Sequence, residues 1–332
     1  IQHSDTTQRQ NSTAGARIPL ALILAGLLTP FTSPADNLLE EVVVTSSRVP
    51  TTLRETGTSV SVLLRDEMEQ RGFLSLPDIL RTQPSVAVSN NGGAGKVSSL
   101  RIRGEEGYRT MVLLDGIDIA DTSSPQVSPR LEQLLTSGLE RVEILRGPQG
   151  LHYGADAGGV INIRSETPDR GIDGRLGVEA GRYGTEQLAG AIGGDFGALD
   201  VMLNVASFET DGFNARDLDT ELRDDDGYEN QTVHARAGWD ATEALRLEAV
   251  LRRVDGENDF DSCFNAAFSP TDDCRDEFSQ DSERLAAELE LGAFSHQLAW
   301  TDTRTKRDNF ADGLSFFAAE GELERLSYVG RW

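Results

Sequence analysis

A dense group of carboxylates lies between Glu209 and Asn230, where only two arginines oppose them. Like charges repel when they are confined, so this segment should be mobile without a cation and ordered with one. Calcium takes several oxygen ligands, many of them carboxylates, so the composition suits calcium. The segment is not an EF-hand loop, because Leu222 occupies the first ligand position of that pattern. A solvated acidic loop is the alternative. The nine carboxylates are Glu209, Asp211, Asp217, Asp219, Glu221, Asp224, Asp225, Asp226 and Glu229.

The chain has two cysteines, Cys263 and Cys274, which lie close together in one polar segment. This arrangement favours a loop disulfide formed in an oxidising compartment over a metal site. The four histidines are scattered through the sequence and show no zinc-binding spacing.

Residues 89–96 look at first like a phosphate-binding loop. Asn90 stands where the first glycine should be, and Val97 stands where Ser or Thr should bind magnesium, so the pattern fails. No nucleophile motif such as Gly-x-Ser-x-Gly occurs, and Ser, His and Asp are abundant enough to form triads by chance. The sequence therefore predicts that the protein is not an enzyme.

The elements up to Pro168 read as a small α+β domain. Residues 98–104 alternate apolar and charged positions, as a half-buried strand does. The apolar runs 111–114 and 117–119 are joined by Asp115-Gly116, a dipeptide that favours a tight hairpin turn. Helices are predicted at 66–71, ended by Gly72, at 75–84, and at 128–138, where leucines occupy 131, 134 and 135.

After Pro168 the sequence changes to repeated alternation of period two. Leu199, Val201, Leu203 and Val205 alternate with other residues, and four further segments follow the same pattern. Short breaks near 196–197, 241–242 and 292 alternate with predicted long loops at 209–230, 255–281 and 306–320. Alternating short turns and long loops are typical of outer-membrane barrels. We count about eight strands, and a soluble β-sandwich is the alternative.

The order of short motifs between Lys96 and Ile163 resembles the plug domain of TonB-dependent outer-membrane receptors. It runs Ile-Arg-Gly, Leu-Leu-Asp-Gly, Glu-Arg-Val-Glu-Ile-Leu-Arg-Gly-Pro, Tyr-Gly and Gly-Gly-Val-Ile-Asn-Ile. The resemblance implies an α+β plug domain followed by an antiparallel transmembrane β-barrel, which has about 22 strands in this family. A barrel of about eight strands has no room for a plug. We therefore expect an N-terminal fragment that contains about the first eight strands.

The apolar run at residues 18–31 follows Arg17 and precedes Ser33-Pro34-Ala35. It is too short to span a membrane and fits a secretory signal peptide cleaved before Asp36, with a buried core helix as the alternative. We predict four parts. Residues 1–35 contain the signal peptide and the residues before it, and residues 36–50 contain the TonB box and a tether. Residues 51–168 form the plug domain, and residues 169–332 form a truncated barrel.

Residues 40–46 resemble the TonB box, with a first plug strand as the alternative. The resemblance implies an exposed strand that adds to the sheet edge of TonB, which works with ExbB and ExbD at the inner membrane. The residues concerned are Glu41, Val42, Val43, Val44 and Thr45.

Within the family, residues 90–99, 116–117 and 224–228 make the sequence most similar to the cobalamin receptors. This resemblance implies active transport of cobalamin, ligand contacts from the glycine loop, and calcium held by early barrel aspartates. A solvated glycine loop is the alternative for residues 89–96. A receptor for ferric siderophores or another scarce nutrient is the alternative, and a barrel enzyme or adhesin is a distant one. The implied ligand-binding residues are Asn90, Asn91, Gly92, Gly93, Ser98 and Ser99, and the implied calcium ligands are Asp211, Asp224, Asp226 and Asp261.

Composition narrows the class of protein further. A hydrophobic content of 38% and a mean hydropathy of -0.35 exclude a helical membrane protein. A net charge of -24 argues against nucleic acid as a partner, because phosphates need a basic footprint. The expected partners are a small-molecule ligand, TonB and the lipid of a Gram-negative outer membrane.

Overall fold

A computed structural model describes residues 42–43, 51–52, 57–72, 74–147, 153, 158–216 and 225–332. The predicted signal peptide lies outside these residues. Strand β1 (Val42–Val43) pairs antiparallel with β2 (Thr51–Thr52), and Val43 lies opposite Thr51. No helix within the described residues is long and apolar enough to cross a membrane.

A five-stranded mixed sheet forms the centre of the plug domain. Its order is β3-β10-β11-β6-β7, and only β6 and β11 are parallel. Val142, Ile144 and Ile161 on the central strands are fully buried. The plug strands are β3 (Ser59–Leu64), β4 (Val86–Asn90), β5 (Ser98–Ile102), β6 (Thr110–Leu114), β7 (Ile117–Asp118), β8 (Ala120–Asp121), β9 (Ser128–Pro129), β10 (Leu139–Arg146) and β11 (Gly159–Ser165).

The predicted hairpin turn at Asp115-Gly116 is confirmed. Both residues have positive φ angles, 47° and 80°, as a tight hairpin turn of this kind requires. Glycine adopts this conformation without strain, and an aspartate tolerates it better than most side chains.

Two of the three predicted helices are present. Helix α1 (Arg65–Arg71) ends at Gly72, which is left-handed with φ 65°. Helix α2 (Leu76–Leu80) is shorter than predicted, and Ser75 bonds to the side chain of Asp78 (2.6 Å) rather than to a backbone N–H.

The predicted helix over 128–138 is wrong, because β9 is followed only by a 3-10 turn at Leu131–Gln133. The backbone of this segment pairs with the segment before α2 instead. Leu134 accepts a hydrogen bond from the N–H of Leu76 (2.9 Å), and the N–H of Thr136 donates to Leu74 (3.0 Å). These bonds occupy groups that a helix would need for itself. The leucines are buried by this packing without helical spacing.

Eight long antiparallel strands follow the plug, which confirms the predicted count and fold class. They pair in the order β12-β13-β14-β15-β16-β19-β20-β21, so β12 and β21 are the edges of the described sheet. The strands are β12 (Gly171–Ala180), β13 (Glu186–Asp195), β14 (Leu199–Thr210), β15 (Tyr228–Thr242), β16 (Leu245–Phe260), β19 (Cys274–Leu291), β20 (Phe294–Ala311) and β21 (Leu314–Arg331). A small hairpin, β17 (Cys263–Phe264) and β18 (Pro270–Thr271), lies between β16 and β19.

The connections define two edges of this sheet. The apical edge carries the connections 181–185, 211–227, 261–273 and 312–313, and the basal edge carries 196–198, 243–244 and 292–293. The predicted long loop at 306–320 is wrong, because β20 and β21 continue through it to a tight turn. Asp312 (φ 52°) and Gly313 (φ 69°) form that turn, which repeats the Asp-Gly signal. Lys306 on β20 lies opposite Glu320 on β21.

The long sheet has polar residues on its covered face and apolar residues on its exposed face. On β14, Leu203 is 40% exposed, whereas its neighbour Asn204 is 7% exposed. Arg236, Arg252 and Arg284 are likewise buried on the covered face, which lies against the plug. An apolar outer band around a polar interior is the pattern of a membrane barrel wall.

Candidate functional site

The loop between β4 and β5, residues 91–97, is organised by the side chain of Asn90. Its Nδ2 donates to the carbonyl oxygens of Gly93 (2.8 Å) and Lys96 (3.1 Å). Its Oδ1 accepts the backbone N–H groups of Gly92 (2.9 Å) and Gly93 (2.7 Å). Asn90 thus uses both ends of its amide to fold the loop, which we call the plug loop.

The other predicted ligand contacts differ in exposure. Asn91 and Ser99 have exposed side chains, whereas Ser98 is buried. The N–H of Ser98 donates to Oε2 of Glu132 (3.3 Å), and its hydroxyl donates to the carbonyl of Lys96 (3.1 Å). Among these polar side chains, Asn91 and Ser99 are therefore the ones open to a ligand.

The glycines of the plug loop lie directly against the connection 211–227 and the first residue of β15. A Cβ on Gly92 would collide with Ala215, and one on Gly93 would come within 3.1 Å of the Phe213 ring. A Cβ on Gly95 would overlap the ring of Tyr228. All three glycines also have positive φ angles. The glycine-rich composition is thus required by close packing on the barrel, which the sequence alone did not indicate.

Lys96 is a buried cation between the plug loop and the barrel, and only 3% of it is exposed. Its Nζ donates to the carbonyl oxygens of Asp226 (2.9 Å) and Gly227 (3.0 Å) and to Oδ1 of Asn258 (2.7 Å). Burial lowers the pKa of Lys96 to about 8, against the opposing effect of Asp226, Asp259 and Asp261. Sequence reasoning missed this residue, although Lys96 and Lys306 are the only lysines of the chain.

A cavity of about 420 Å³ opens beside Lys96 at the apical edge. Asn91 lines it from the plug, and the barrel contributes charged groups of both signs. Asp276 on this wall accepts hydrogen bonds from Arg130 (2.5 Å), Arg307 (2.8 Å) and Asn309 (3.1 Å). We call this space the apical cavity. Its charged walls are held in fixed positions by these pairs, so it can present ordered polar groups to a ligand.

The predicted calcium ligands do not converge in the described part of the chain. Asp211 is exposed, Asp226 is buried with its Oδ2 accepting the N–H of Ala215 (2.8 Å), and Asp261 is half-buried. Asp224 lies outside the described residues. Across the described ranges, no group of three or more His, Cys, Asp or Glu side chains could hold a metal. Calcium binding therefore stays a prediction.

The apical connections are tied to one another. Cys263 and Cys274 form a disulfide that closes the connection 261–273. Asp312 in the next connection accepts hydrogen bonds from Asn265 (2.7 Å) and Thr271 (2.6 Å). Arg216 pairs with Asp272, and Asp272 also accepts the N–H of Ser262 (3.0 Å). The rim of the apical cavity is thus a connected structure, not a set of separate loops.

A second contact between plug and barrel lies at the Asp115-Gly116 turn. Oδ2 of Asp115 lies 2.8 Å from Nε2 of His234 on β15, and both side chains are buried. Its Oδ1 accepts the N–H of Ser165 (3.0 Å). Burial alone would raise the pKa of Asp115, but the hydrogen bond and charge of His234, the bond from Ser165 and the charge of Arg236 bring it down to about 2.

Of the predicted TonB-box residues, the structure describes only Val42 and Val43. They form β1, whose partner β2 belongs to the same chain. Glu41, Val44 and Thr45 lie outside the described residues. Any strand exchange with another protein at β1 must displace β2 or use the opposite edge of β1.

Comparison with known proteins identifies the family. Residues 52–161 match the TonB-dependent receptor plug domain family. The vitamin B12 transporter BtuB of Photobacterium profundum is 30% identical over 251 residues, which are 74% of this chain and 41% of that protein. BtuB of Vibrio cholerae is 29% identical over 94% of this chain and 52% of its own length. The chain thus spans about half the length of these curated relatives or less.

Solved structures support the same architecture. A mutant form of the ferric enterobactin receptor PfeA of Pseudomonas aeruginosa aligns with a TM-score of 0.66 at 17% identity, over 87% of this chain and 47% of that one. The siderophore receptor PirA of Acinetobacter baumannii aligns with a TM-score of 0.64 at 20% identity, over 82% and 44%. The chain belongs to the TonB-dependent receptor family. Within that family it is related to the cobalamin receptors.

The Asp115 contact predicts an acid-sensitive attachment of the plug. Because the folded pKa of about 2 lies below the ordinary 3.8, its stabilisation is present above about pH 4 and is lost as pH falls towards 2. The free energy of opening of β6 and β11, from hydrogen exchange corrected for intrinsic rates, should fall by about 2 kcal/mol over this range. Asp115→Asn should remove that fall, whereas the exposed Asp240→Asn control should keep it. Identical profiles in wild type and Asp115→Asn would contradict this prediction.

Proposed function

We propose that this chain serves in an outer-membrane receptor that uses TonB to take up a cobalamin-like corrinoid. The observation that carries the proposal is a plug loop packed against the apical connections of a sheet that is polar towards the plug and apolar on its other face. This arrangement suits a membrane wall with a gated, polar lumen. The similarity to proteins named vitamin B12 transporters supports the choice of ligand.

The same arrangement supports a membrane location. The exposed face of the long sheet carries large apolar side chains, including Leu203, Leu251 and Leu285. A surface of this kind is unfavourable in water and favourable against lipid hydrocarbon. We therefore propose that the outer membrane surrounds this face.

The apical cavity is the proposed ligand site, with Asn91 at its plug side. Ser99 is a further proposed contact, because its side chain is exposed on β5. The residues that line this cavity form only part of the wall that a receptor of the relatives' length would provide. A bulky corrinoid would therefore need further contacts beyond these residues.

A ferric-siderophore receptor is the second candidate. PirA and PfeA, which resemble the chain in fold, are named as siderophore receptors. In addition, Arg216 and Arg307 line the apical cavity, and guanidinium groups suit anionic chelates. Their pairing with Asp272 and Asp276 weakens this argument, since those charges are already neutralised.

Ligand identity is tested by binding to the full-length receptor in detergent. We expect cyanocobalamin to bind and ferric enterobactin not to compete with it. Asn91→Trp should weaken cyanocobalamin binding about tenfold or more, because it fills the apical cavity. Glu243→Trp at the basal edge is the control and should bind normally. Binding of the ferric chelate alone would favour the second candidate.

Energy coupling through β1 is tested by Val43→Pro. Proline removes a backbone donor and fixes φ, so strand addition to TonB should fail while ligand binding is kept. We expect uptake by cells to be lost. Thr51→Pro is the matched control, because it perturbs the β1–β2 pair from the opposite side and leaves residues 41–45 unchanged. Equal uptake by Val43→Pro and wild type would remove the TonB-box assignment, and with it the proposed dependence on ExbB and ExbD.

We further propose that the connection 211–227 binds calcium and that calcium strengthens ligand binding. Asp211, Asp226 and Asp261 do not converge, so the proposal assigns the remaining ligands to carboxylates from residues 217–224, which include Asp224. A ligand that prefers the ordered connection gains affinity when calcium orders it first.

Chelation should therefore weaken cyanocobalamin binding, and Asp224→Asn should weaken it similarly without chelator. Asp173→Asn, on the exposed strand β12, is the control. Affinity that does not respond to millimolar calcium would leave the connection as a solvated acidic loop.

A further inference from the structure

The end of the acidic connection 211–227 is fastened to the plug by one side chain. Lys96 Nζ has three donors, and the three acceptors around it are two backbone carbonyls of that connection and Asn258 on β16. Asn258 is itself 3% exposed. All three N–H groups of the ammonium therefore have acceptors within the protein, and the group is closed off from water.

The surroundings of Lys96 are rich in negative charge. Asp226, Asp259 and Asp261 all act on it electrostatically, while Lys306, the other lysine of the chain, is 64% exposed on β20. Carboxylates gathered in one place repel one another unless a cation lies among them. Lys96 supplies that cation from the plug.

Side-chain packing next to the Lys96 ammonium group holds the same end of the connection against the plug. Tyr228 follows directly after the two bonded carbonyls, and its ring covers Gly95. Its hydroxyl lies 3.0 Å from the carbonyl of Glu132 and 3.1 Å from Oε1 of Gln133, both on the plug. The end of the connection is thus held to the plug by a charge and by an aromatic contact.

We propose that Lys96 is a tethered cation that fixes residues 226 and 227, the end of the connection 211–227, to the plug, so that these two residues and the plug loop form one unit without a metal ion. Lys96 is a positioning residue: it sets the wall of the apical cavity through the backbone of Asp226 and Gly227. The proposal does not rest on the identity of the ligand. It differs from the calcium proposal, because the acceptors are backbone carbonyls and not carboxylates.

The test is hydrogen exchange at the amides of residues 226–230 in the full-length receptor without ligand, in calcium and in chelator. In wild type we expect protection that chelation does not change. Lys96→Met keeps most of the side-chain volume but removes the charge, and it should speed exchange about tenfold or more, as loss of charged hydrogen bonds implies. Amides of β10 report in the same experiment whether the plug still folds, and Lys306→Met is the matched control.

A chemical rescue separates charge from packing. Lys96→Cys is alkylated before refolding, either with 2-bromoethylamine, which restores an ammonium at lysine length, or with 1-bromopropane, which gives a neutral chain of similar length. The native disulfide is kept oxidised throughout. Slow exchange should return only with the ammonium. The proposal is overturned if the neutral chain restores protection equally, if Lys96→Met exchanges like wild type, or if wild-type protection depends on calcium.

Discussion

The structure depends on one constraint: each long strand must suit apolar surroundings on one face and polar surroundings on the other. Side chains alternate across a strand, so a single period-two pattern sends apolar groups outward and polar groups inward. On β14, the exposed Leu203 and the buried Asn204 are neighbours. The inward groups can be polar only because the plug, or water between plug and sheet, completes their hydrogen bonds. The polar face of the sheet therefore depends on the plug side for its hydrogen bonds.

The contact between plug and sheet relies on discrete polar ties, together with a small apolar cluster in which Leu135 of the plug meets Phe208 and Tyr228. The large apolar core belongs to the plug, and among the described residues Val250 is the one member of the long sheet within it. The apical tie uses Lys96, and the second tie uses Asp115 and His234. Arg236 and Arg284 also meet at Glu248 beside the second tie. Polar ties can be released one at a time in a wet interface, whereas an apolar core would have to separate as a whole.

The features that can be predicted from the sequence are those that depend on residues close together in the chain. Alternation indicates the eight strands, Asp115-Gly116 the turn, and Gly72 the end of α1, because each depends on residues near in sequence. The prediction for 306–320 is wrong because the tight Asp312-Gly313 turn joins two strands that run through these residues. The prediction for 128–138 is wrong because its backbone partners lie near residue 75. Lys96 could not be assigned at all, as its acceptors are 130 or more residues away. A residue whose partners lie in another domain leaves no pattern in the neighbouring sequence from which its role could be predicted.

The orientation of the long sheet is the central claim, and it can be measured residue by residue. Spin labels placed singly at positions 201 to 205 of β14, in the full-length receptor within lipid vesicles, would report collisions with oxygen dissolved in lipid and with a water-soluble nickel complex. We expect high oxygen accessibility for labels replacing Val201, Leu203 and Val205, and immobilised labels with low oxygen accessibility at Met202 and Asn204. The opposite phase, or no alternation at all, would contradict the inward polar face on which the whole arrangement of plug and sheet depends.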